Sequence, residues 1–227
     1  MRQIVNENIY MKRLNYFNIY VIKGKDGDIL IDTGFILMKR RLKKYLDNFN
    51  IKLIILTHAH VDHAWNANYL KERYNCEILM GKADLENIDN SNIKSKPSLK
   101  RHGLWTRLMN KGMKVLKQKE FIPDILIEED TKLSTCGLDL NIVNLEGHTN
   151  GSIGILYDNK LFAGDSLVNR KRNYAQIAYQ NQNNEIAKKT FKKIIDMNPQ
   201  MIYIGHDKPI DNDKLMISYE REFNNYY

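Results

Sequence analysis

The chain has 227 residues, which is enough to bury a sizeable core without disulfides but short for two full domains. Its apolar share of 43% and charged share of 27% are ordinary for a globular protein and exclude a disordered or fibrous chain. The net charge of +8 favours anionic partners but carries no information about the fold.

The cysteines and the hydropathy pattern bear on cellular location. Cys76 and Cys136 stand far apart and form neither a CxxC pair nor a disulfide framework, which predicts a reducing, cytoplasmic compartment. The opening "MRQIVNENIY" has no apolar core of a signal peptide. No run of about 18 apolar residues follows, so we expect no membrane span.

Strand and helix patterns alternate along the first third of the chain. The runs "NYFNIYVI" and "DILIDTG" flank an Asp26-Gly27 pair that is typical of a hairpin turn. A helix is predicted over "FILMKRRLKKYLDNF". The continuous apolar run "IKLIIL" indicates a strand buried on both faces. A second helix, "AWNANYLKERY", leads to the short strand "EILM".

The rest of the chain is predicted to be a basic helical segment followed by more strands. Residues 94–119 contain nine Lys or Arg residues and no Asp or Glu, within a predicted helical insertion at about 90–122. The strands "DILIE", "LDLNIVNLE", "SIGILYD" and "KLFAGD" follow, then the helix "NEIAKKTFKKIIDM" and the strand "MIYIGH". With no repeat and no linker, the chain is interpreted as a single domain, residues 1–227.

Five predicted strands end in the same way, in an apolar run followed by side chains that bind metals. Together these strand ends use five of the six histidines of the chain. Because ligands gather at the carboxyl ends of strands, we expect these side chains to meet in one cleft. They are Asp32, His58, His60, Asp62, His63, His148, Asp165 and His206.

Such a cluster would be costly to bury without a partner, and a bound metal would supply that partner. Imidazole and carboxylate ligands suit zinc, and also iron or manganese. The spacing favours two ions: His58 and His60 point the same way in an extended segment and bind one ion with His148. We expect Asp62, His63 and His206 to bind the second ion and Asp165 to bridge both.

The predicted centre also has consequences for its surroundings. With a bridging hydroxide it keeps a net positive charge, which favours a small-molecule substrate that is anionic or has a polarised oxygen. Asp32 is predicted to contact and orient one of the ligand histidines without binding the metal itself. Each ion would keep an open position for water, as catalytic sites do.

The motifs "IDTG", "THAHVDH", "GHTNGSIG", "FAGDS" and "IGH" together resemble those of the metallo-β-lactamase superfamily of hydrolases, in order, over residues 31–206. The resemblance implies an α/β (α+β) fold, a four-layer αββα sandwich with a dinuclear centre at one edge, for which zinc is the expected metal. It implies metal ligands at His58, His60, Asp62, His63, His148, Asp165 and His206. It also implies that a metal-bound hydroxide cleaves an ester, thioester or lactone-type bond, with Asp62 or Asp165 relaying the proton.

Within that superfamily, the sequence is most similar to the glyoxalase II-like branch. Histidine at His60, where oxygen-reducing relatives usually carry glutamate, favours hydrolysis. The helical extension of glyoxalase II is expected to be missing or reduced after His206. Tyr174 and Arg170, which follow the bridging aspartate, are candidates for binding a substrate carboxylate; they could equally be ordinary loop residues. Asn150 and Asp207 depart from the common proline and glycine, but neither is a ligand.

Three alternatives stay open. An iron-dependent persulfide dioxygenase would keep similar motifs. A phosphodiesterase or RNA-processing nuclease would use the basic segment 94–119 to neutralise phosphates, although a basic stripe is more often a solvated helix face. A non-enzymatic scaffold would retain the site without a working substrate pocket. The sequence does not identify the oligomeric state.

Overall fold

The computed structural model describes residues 3–4, 7–88, 96–97, 120–170 and 174–223. Within them, two large sheets face each other. The seven-stranded sheet has the order β1-β2-β3-β4-β5-β6-β8, and the six-stranded sheet has the order β17-β16-β12-β11-β10-β9. The strands of the first sheet are β1 (Gln3–Ile4), β2 (Ile9–Leu14), β3 (Phe17–Lys23), β4 (Asp28–Ile31), β5 (Ile51–Ile55), β6 (Glu77–Gly81) and β8 (Ile125–Ile127).

The second sheet contains β9 (Thr131–Thr135), β10 (Leu138–Asn144), β11 (Ile153–Tyr157), β12 (Lys160–Gly164), β16 (Met201–Ile204) and β17 (Ile210–Asp211). Two small strand pairs join β13 (Val168–Arg170) to β14 (Tyr174–Gln176), and β15 (Gln180–Asn181) to β7 (Lys96–Pro97).

Five α-helices are described: α1 (Lys39–Leu46), α2 (Val61–Ala64), α3 (Ala67–Tyr74), α4 (Asn184–Met197) and α5 (Leu215–Phe223). Short 3₁₀ turns cover Ile36–Met38, Lys82–Asn87 and Asn212–Lys214. In the part of the chain that the structure describes, no helix has the length and apolar character needed to cross a bilayer.

Three buried clusters of apolar side chains separate four layers. One lies between α1, α3 and the first sheet, and includes Leu42 and Leu70. The second lies between the two sheets, and the third packs α4 and α5 on the second sheet through Phe191 and Leu215. The predicted αββα sandwich is therefore confirmed. It follows from the strand pattern: on β5, Leu53 and Ile55 face the other sheet, whereas Ile54 faces the helices.

The predicted helices differ in how well their bounds agree with the structure. The helix predicted over "NEIAKKTFKKIIDM" is α4 residue for residue, and the Asn183 side chain caps it by accepting from the amides of Glu185 and Ile186. The helix predicted over "FILMKRRLKKYLDNF" is shorter, because its start is the 3₁₀ turn Ile36–Met38 and α1 ends at Leu46. The insertion predicted at about 90–122, with its basic residues 94–119, lies almost wholly outside the described residues.

The direction of the strands brings the site together. β4, β5 and β6 are parallel, and β12 is parallel to β16. Parallel strands end at the same edge of a sheet, so the residues that follow β4, β5, β12 and β16 meet at one edge of the sandwich.

Candidate metal centre

Three imidazoles form the first group of candidate ligands, here called the first subsite. His58 and His60 follow β5, and His148 lies in the loop after β10. Their ring centroids are spaced almost evenly, at 4.6 Å for His58–His60 and 4.7 Å for each of the other two pairs. His60 Nδ1 lies 2.9 Å from His148 Nε2, and all three side chains are buried. Nitrogens this close share either a proton or a cation.

Asp62, His63 and His206 form the second subsite. Asp62 and His63 lie in the single turn of α2, and His206 follows β16. His206 Nε2 lies 3.4 Å from Asp62 Oδ2, and His63 Nε2 lies 3.8 Å from the same oxygen. One donor atom from each residue falls within 4.8 Å of the other two, as it also does in the first subsite.

Asp165 lies between the two subsites. Its Oδ2 is 3.1 Å from His206 Nε2 and 3.8 Å from His148 Nε2, and its Oδ1 is 3.5 Å from His63 Nε2. The carboxylate thus faces a histidine of each subsite, which is the placement that a bridging ligand needs.

In four of the five rings the outer nitrogen is fixed by a hydrogen bond, so the inner nitrogen is left for a ligand. The exception is His60, whose Nδ1 faces His148 and whose Nε2 is buried without a hydrogen-bond partner among the described residues. The Nδ1 atom of His148 donates to the carbonyl oxygen of Gln180 at 2.8 Å, and that of His206 donates to the carbonyl oxygen of Tyr16 at 2.9 Å. Among the described residues, the buried atoms His58 Nε2, His63 Nε2 and Asp165 Oδ1 have no hydrogen-bond partner. Buried polar atoms need partners, and divalent cations would supply them here.

Charge differs between the subsites. Burial, followed by the neighbouring imidazole of His148, lowers the pKa of His60 to about 3. Burial would also lower the pKa of His206, but the carboxylates of Asp165 and Asp62 outweigh it and raise that pKa to about 10. The first subsite is therefore a set of neutral donors, whereas the second combines imidazoles with carboxylates.

Asp32, which directly follows β4, supports both subsites. Its Oδ2 accepts from His63 Nδ1 at 2.8 Å. Its carboxylate also accepts from the hydroxyl and the amide of Thr57, at 2.9 Å each. Because the Thr57 proton points to Asp32, His58 Nδ1 donates to Thr57 Oγ1 at 3.1 Å. Asp32 thus orients His63 directly and His58 through Thr57.

The sequence profile of the metallo-beta-lactamase superfamily matches residues 16–206. The chain belongs to this superfamily. It is 36% identical over 154 residues to a probable metallo-hydrolase of Methanocaldococcus jannaschii, covering 66% of each chain. It is 26% identical over 199 residues to hydroxyacylglutathione hydrolase 1 of Vibrio vulnificus, covering 86% of this chain and 64% of that one. The matches thus span slightly less than two thirds of the length of these relatives.

Solved structures agree with the metallo-beta-lactamase fold. The subclass B3 metallo-beta-lactamase of Bradyrhizobium japonicum superposes with a TM-score of 0.72 at 19% identity, over 99% of this chain and 91% of that one. At this identity the similarity supports the fold alone, and the fold predicted from the motifs is confirmed.

Gly205, which directly follows β16, lies close to the centre of this metallo-beta-lactamase family member. A Cβ atom built on it would lie 2.2 Å from Asp165 Oδ1 and 2.5 Å from His63 Cε1. Only glycine fits beside these two side chains.

Gly205→Ala is expected to displace Asp165 and His63 and to lower activity more strongly than stability. Overpacking of this kind costs about 1–3 kcal/mol of unfolding free energy, which leaves a fold of ordinary stability intact. Thermal unfolding and metal content per chain would be measured together. Retention of full metal content by a folded Gly205→Ala protein would contradict the close packing.

An aromatic wall flanks the second subsite. The Phe17 ring meets the His206 ring edge-on, with centroids 5.3 Å apart. Phe35 lies 6.2 Å from Phe17, and Trp65 lies 5.5 Å from Phe35. All three rings are partly exposed. Trp65 therefore belongs to this aromatic wall.

The two substrate-binding candidates lie on the hairpin of β13 and β14. The Arg221 guanidinium of α5 lies 4.2 Å from the centre of the Tyr174 ring, so this ring packs against a helix. Arg170 ends β13, and its side chain lies outside the described part of the structure. Substrate binding by Tyr174 and Arg170 stays a prediction.

Sequence reasoning missed one buried carboxylate close to the centre. Asp84 lies in the 3₁₀ turn after β6, and its side chain is fully buried. The strand-end pattern could have found it, because β6 is the parallel neighbour of β5, but Asp84 does not follow the strand end at Gly81 directly.

Proposed function

We propose that this protein is a metal-dependent hydrolase with a dinuclear zinc centre, which cleaves an ester, thioester or lactone-type bond. The observation that carries the proposal is the convergence of five imidazoles and two carboxylates on one edge of the sandwich, with three of their inner atoms buried and unpartnered among the described residues. A structural role for these residues would pair those atoms with protein donors or acceptors instead.

The donor set suits two divalent ions. His58, His60 and His148 would hold the first ion, and Asp62, His63 and His206 would hold the second. Asp165 would contact both. When bound, paired divalent ions acidify a shared water and polarise the carbonyl oxygen of the substrate. Zinc fits these ligands best, although iron and manganese accept the same donors.

The protein's own side chains would handle the proton and orient the substrate. Burial would raise the pKa of Asp165, but the imidazoles of His206 and His63 hold it well below its ordinary value. Asp165 and Asp62 are therefore ionised, which is the form that binds a divalent cation and can relay a proton. On the other flank, Phe17, Phe35 and Trp65 would exclude water and pack against the apolar part of an organic substrate.

The relatives and the charge of the site support one substrate class as the first to be tested. The hydroxyacylglutathione hydrolases of Vibrio vulnificus and Haemophilus influenzae support a thioester of a small, anionic carrier as the first choice. Tyr174 and Arg170 are the candidates for meeting a substrate carboxylate.

Both cysteines are free, which supports a reducing compartment such as the cytoplasm.

Removal of metal is expected to abolish hydrolysis and to lower the midpoint of thermal unfolding, because the buried donors would lose their partner. When the free concentration of an ion is about 100 times its dissociation constant, its binding stabilises the folded state by about 2.7 kcal/mol. The protein would be treated with a chelator, dialysed, and assayed before and after the return of zinc, against a panel of thioesters, lactones and phosphodiesters.

Elemental analysis of protein purified without added metal provides the decisive companion to that assay. Two zinc ions per chain are expected. One iron per chain with little zinc, together with oxygen consumption on a persulfide, would replace the hydrolase with the oxygenase alternative. If the protein contains zinc but hydrolyses only phosphodiesters, the nuclease alternative would replace the proposed cleavage of an ester, thioester or lactone-type bond.

A further inference from the structure

Asp84 is a buried carboxylate that belongs to neither subsite. It has no solvent exposure and lies in the 3₁₀ turn Lys82–Asn87, directly after β6. It is neither a proposed metal ligand nor a proposed proton acceptor. Its burial without a paired cation is expensive, so its hydrogen bonds must offset that cost.

Four donors converge on the Asp84 carboxylate. Oδ2 accepts from the Ala59 amide at 2.8 Å and from the Thr149 hydroxyl at 2.9 Å. Oδ1 accepts from the Gly151 amide at 3.0 Å and from Asn87 Nδ2 at 2.9 Å. Hydrogen bonds to an ionised acceptor are roughly twice as strong as neutral ones, so this carboxylate holds its donors firmly.

Three of these donors belong to the loops that carry the first subsite. Ala59 lies between His58 and His60, and Thr149 directly follows His148. Gly151 continues the same loop, and it packs so closely that a Cβ atom on it would lie 2.4 Å from the Asp84 amide nitrogen. None of the four hydrogen bonds reaches Asp62, His63 or His206.

We infer that Asp84 is a positioning residue that fixes the distance between the His58–His60 segment and His148, and thereby sets the metal affinity of the first subsite alone. The inference rests on the proposed metal centre. Two loops from different sheets supply these three imidazoles, and Asp84 ties the loops together with one rigid carboxylate. Metal ligands must be held within fractions of an ångström to bind well, so loosening this tie weakens that subsite.

Asp84→Asn keeps the shape of the side chain but replaces one acceptor with an NH₂ group that faces donors. Ligand supports of this kind cost about 10–100-fold in metal affinity when they are lost. Apoprotein would be titrated with Co²⁺, and the visible absorption of the ion would be followed. The wild type is expected to bind two ions, and Asp84→Asn to weaken one step at least about tenfold while changing the other less than about twofold.

The two steps can be assigned to subsites with single ligand deletions. His148→Ala removes a donor from the first subsite only, and His206→Ala removes one from the second only. The step weakened by Asp84→Asn should be the one that His148→Ala removes. If it is the step that His206→Ala removes, the inference is wrong.

Two controls separate positioning from general loss of stability. Asn87→Ala removes a donor of the same carboxylate that lies on neither ligand loop, and it is expected to keep both Co²⁺ steps. Asp28→Asn alters another buried carboxylate, which accepts from the Asn50 amide at 2.8 Å at the opposite end of the same sheet. It should also keep both steps. Equal weakening of both steps by Asp84→Asn would overturn the inference.

A second variant decides the matter if Asp84→Asn does not fold. Thr149→Val keeps the Asp84 carboxylate and removes the hydroxyl on the His148 loop, which bonds Asp84 Oδ2 and also lies 2.7 Å from Ser152 Oγ, so it should weaken the same step by a smaller factor. Unchanged binding in Thr149→Val would then overturn the role of Asp84 while leaving the metal centre standing. Absence of Co²⁺ binding by the wild type would overturn both.

Discussion

Asp165→Ala is expected to lower kcat/KM by more than about a hundredfold, which exceeds the cost of losing a residue that only orients a ligand. The carboxylate lies within 3.1 Å of His206 Nε2 and 3.8 Å of His148 Nε2, so its removal takes a ligand from both subsites at once. Metal content per chain should fall along with activity. Both quantities would be measured on the same preparation, by elemental analysis and by steady-state kinetics.

The comparison with His148→Ala makes this result specific. His148 belongs to the first subsite only, so His148→Ala should retain one ion per chain, whereas Asp165→Ala should weaken both. Asp196→Ala, which alters an exposed carboxylate on α4, is the control for a change of charge. The far-ultraviolet circular dichroism of all three variants should match that of the wild type. Full activity in either ligand variant would refute the site.

The strands that carry the site were predictable because each combines an apolar run with polar residues at its end. Burial on both faces makes β5 and β12 nearly continuous apolar runs, and the histidine and aspartate residues that follow them stand out. The order of the motifs along the chain also indicated that the two halves of the chain pack together, which no single strand reveals. The fold could therefore be assigned from five short motifs in order.

Other elements were missed because their signals are weak or distant. β9 (Thr131–Thr135) alternates partly buried and exposed residues as an edge strand, and lacks the apolar run that marks a central one. The 3₁₀ turn at Ile36–Met38 replaces the start of a predicted helix. Asp84 carries only a weak local signal, its position shortly after the end of β6, since its role depends on Ala59 and Thr149, which lie far away in the sequence. Such tertiary contacts are invisible to periodicity.

Asp32→Asn is expected to lower kcat/KM by about 10–100-fold, because it disturbs one histidine in each subsite. The carboxylate accepts from His63 Nδ1 and from Thr57, and Thr57 in turn accepts from His58 Nδ1. An amide in its place presents an NH₂ group to at least one of these donors, so a ring must rotate or lose its hydrogen bond. Metal affinity, measured by competition with a chromophoric chelator, should fall at both subsites.

Backbone strain has to be separated from this electrostatic effect. Asp32 has a φ of +60°, a left-handed conformation that asparagine also tolerates, so Asp32→Asn leaves the backbone preference intact. Asp158→Asn makes the same substitution at an exposed turn with a φ of +48° and should leave kcat/KM and metal affinity unchanged. Thr57→Val cuts the path to His58 but leaves the bond to His63, so it should weaken the first subsite alone. If Thr57→Val weakens both subsites equally, Asp32 does not act through two separate arms, and the assignment of His58 to this hydrogen-bond chain is wrong.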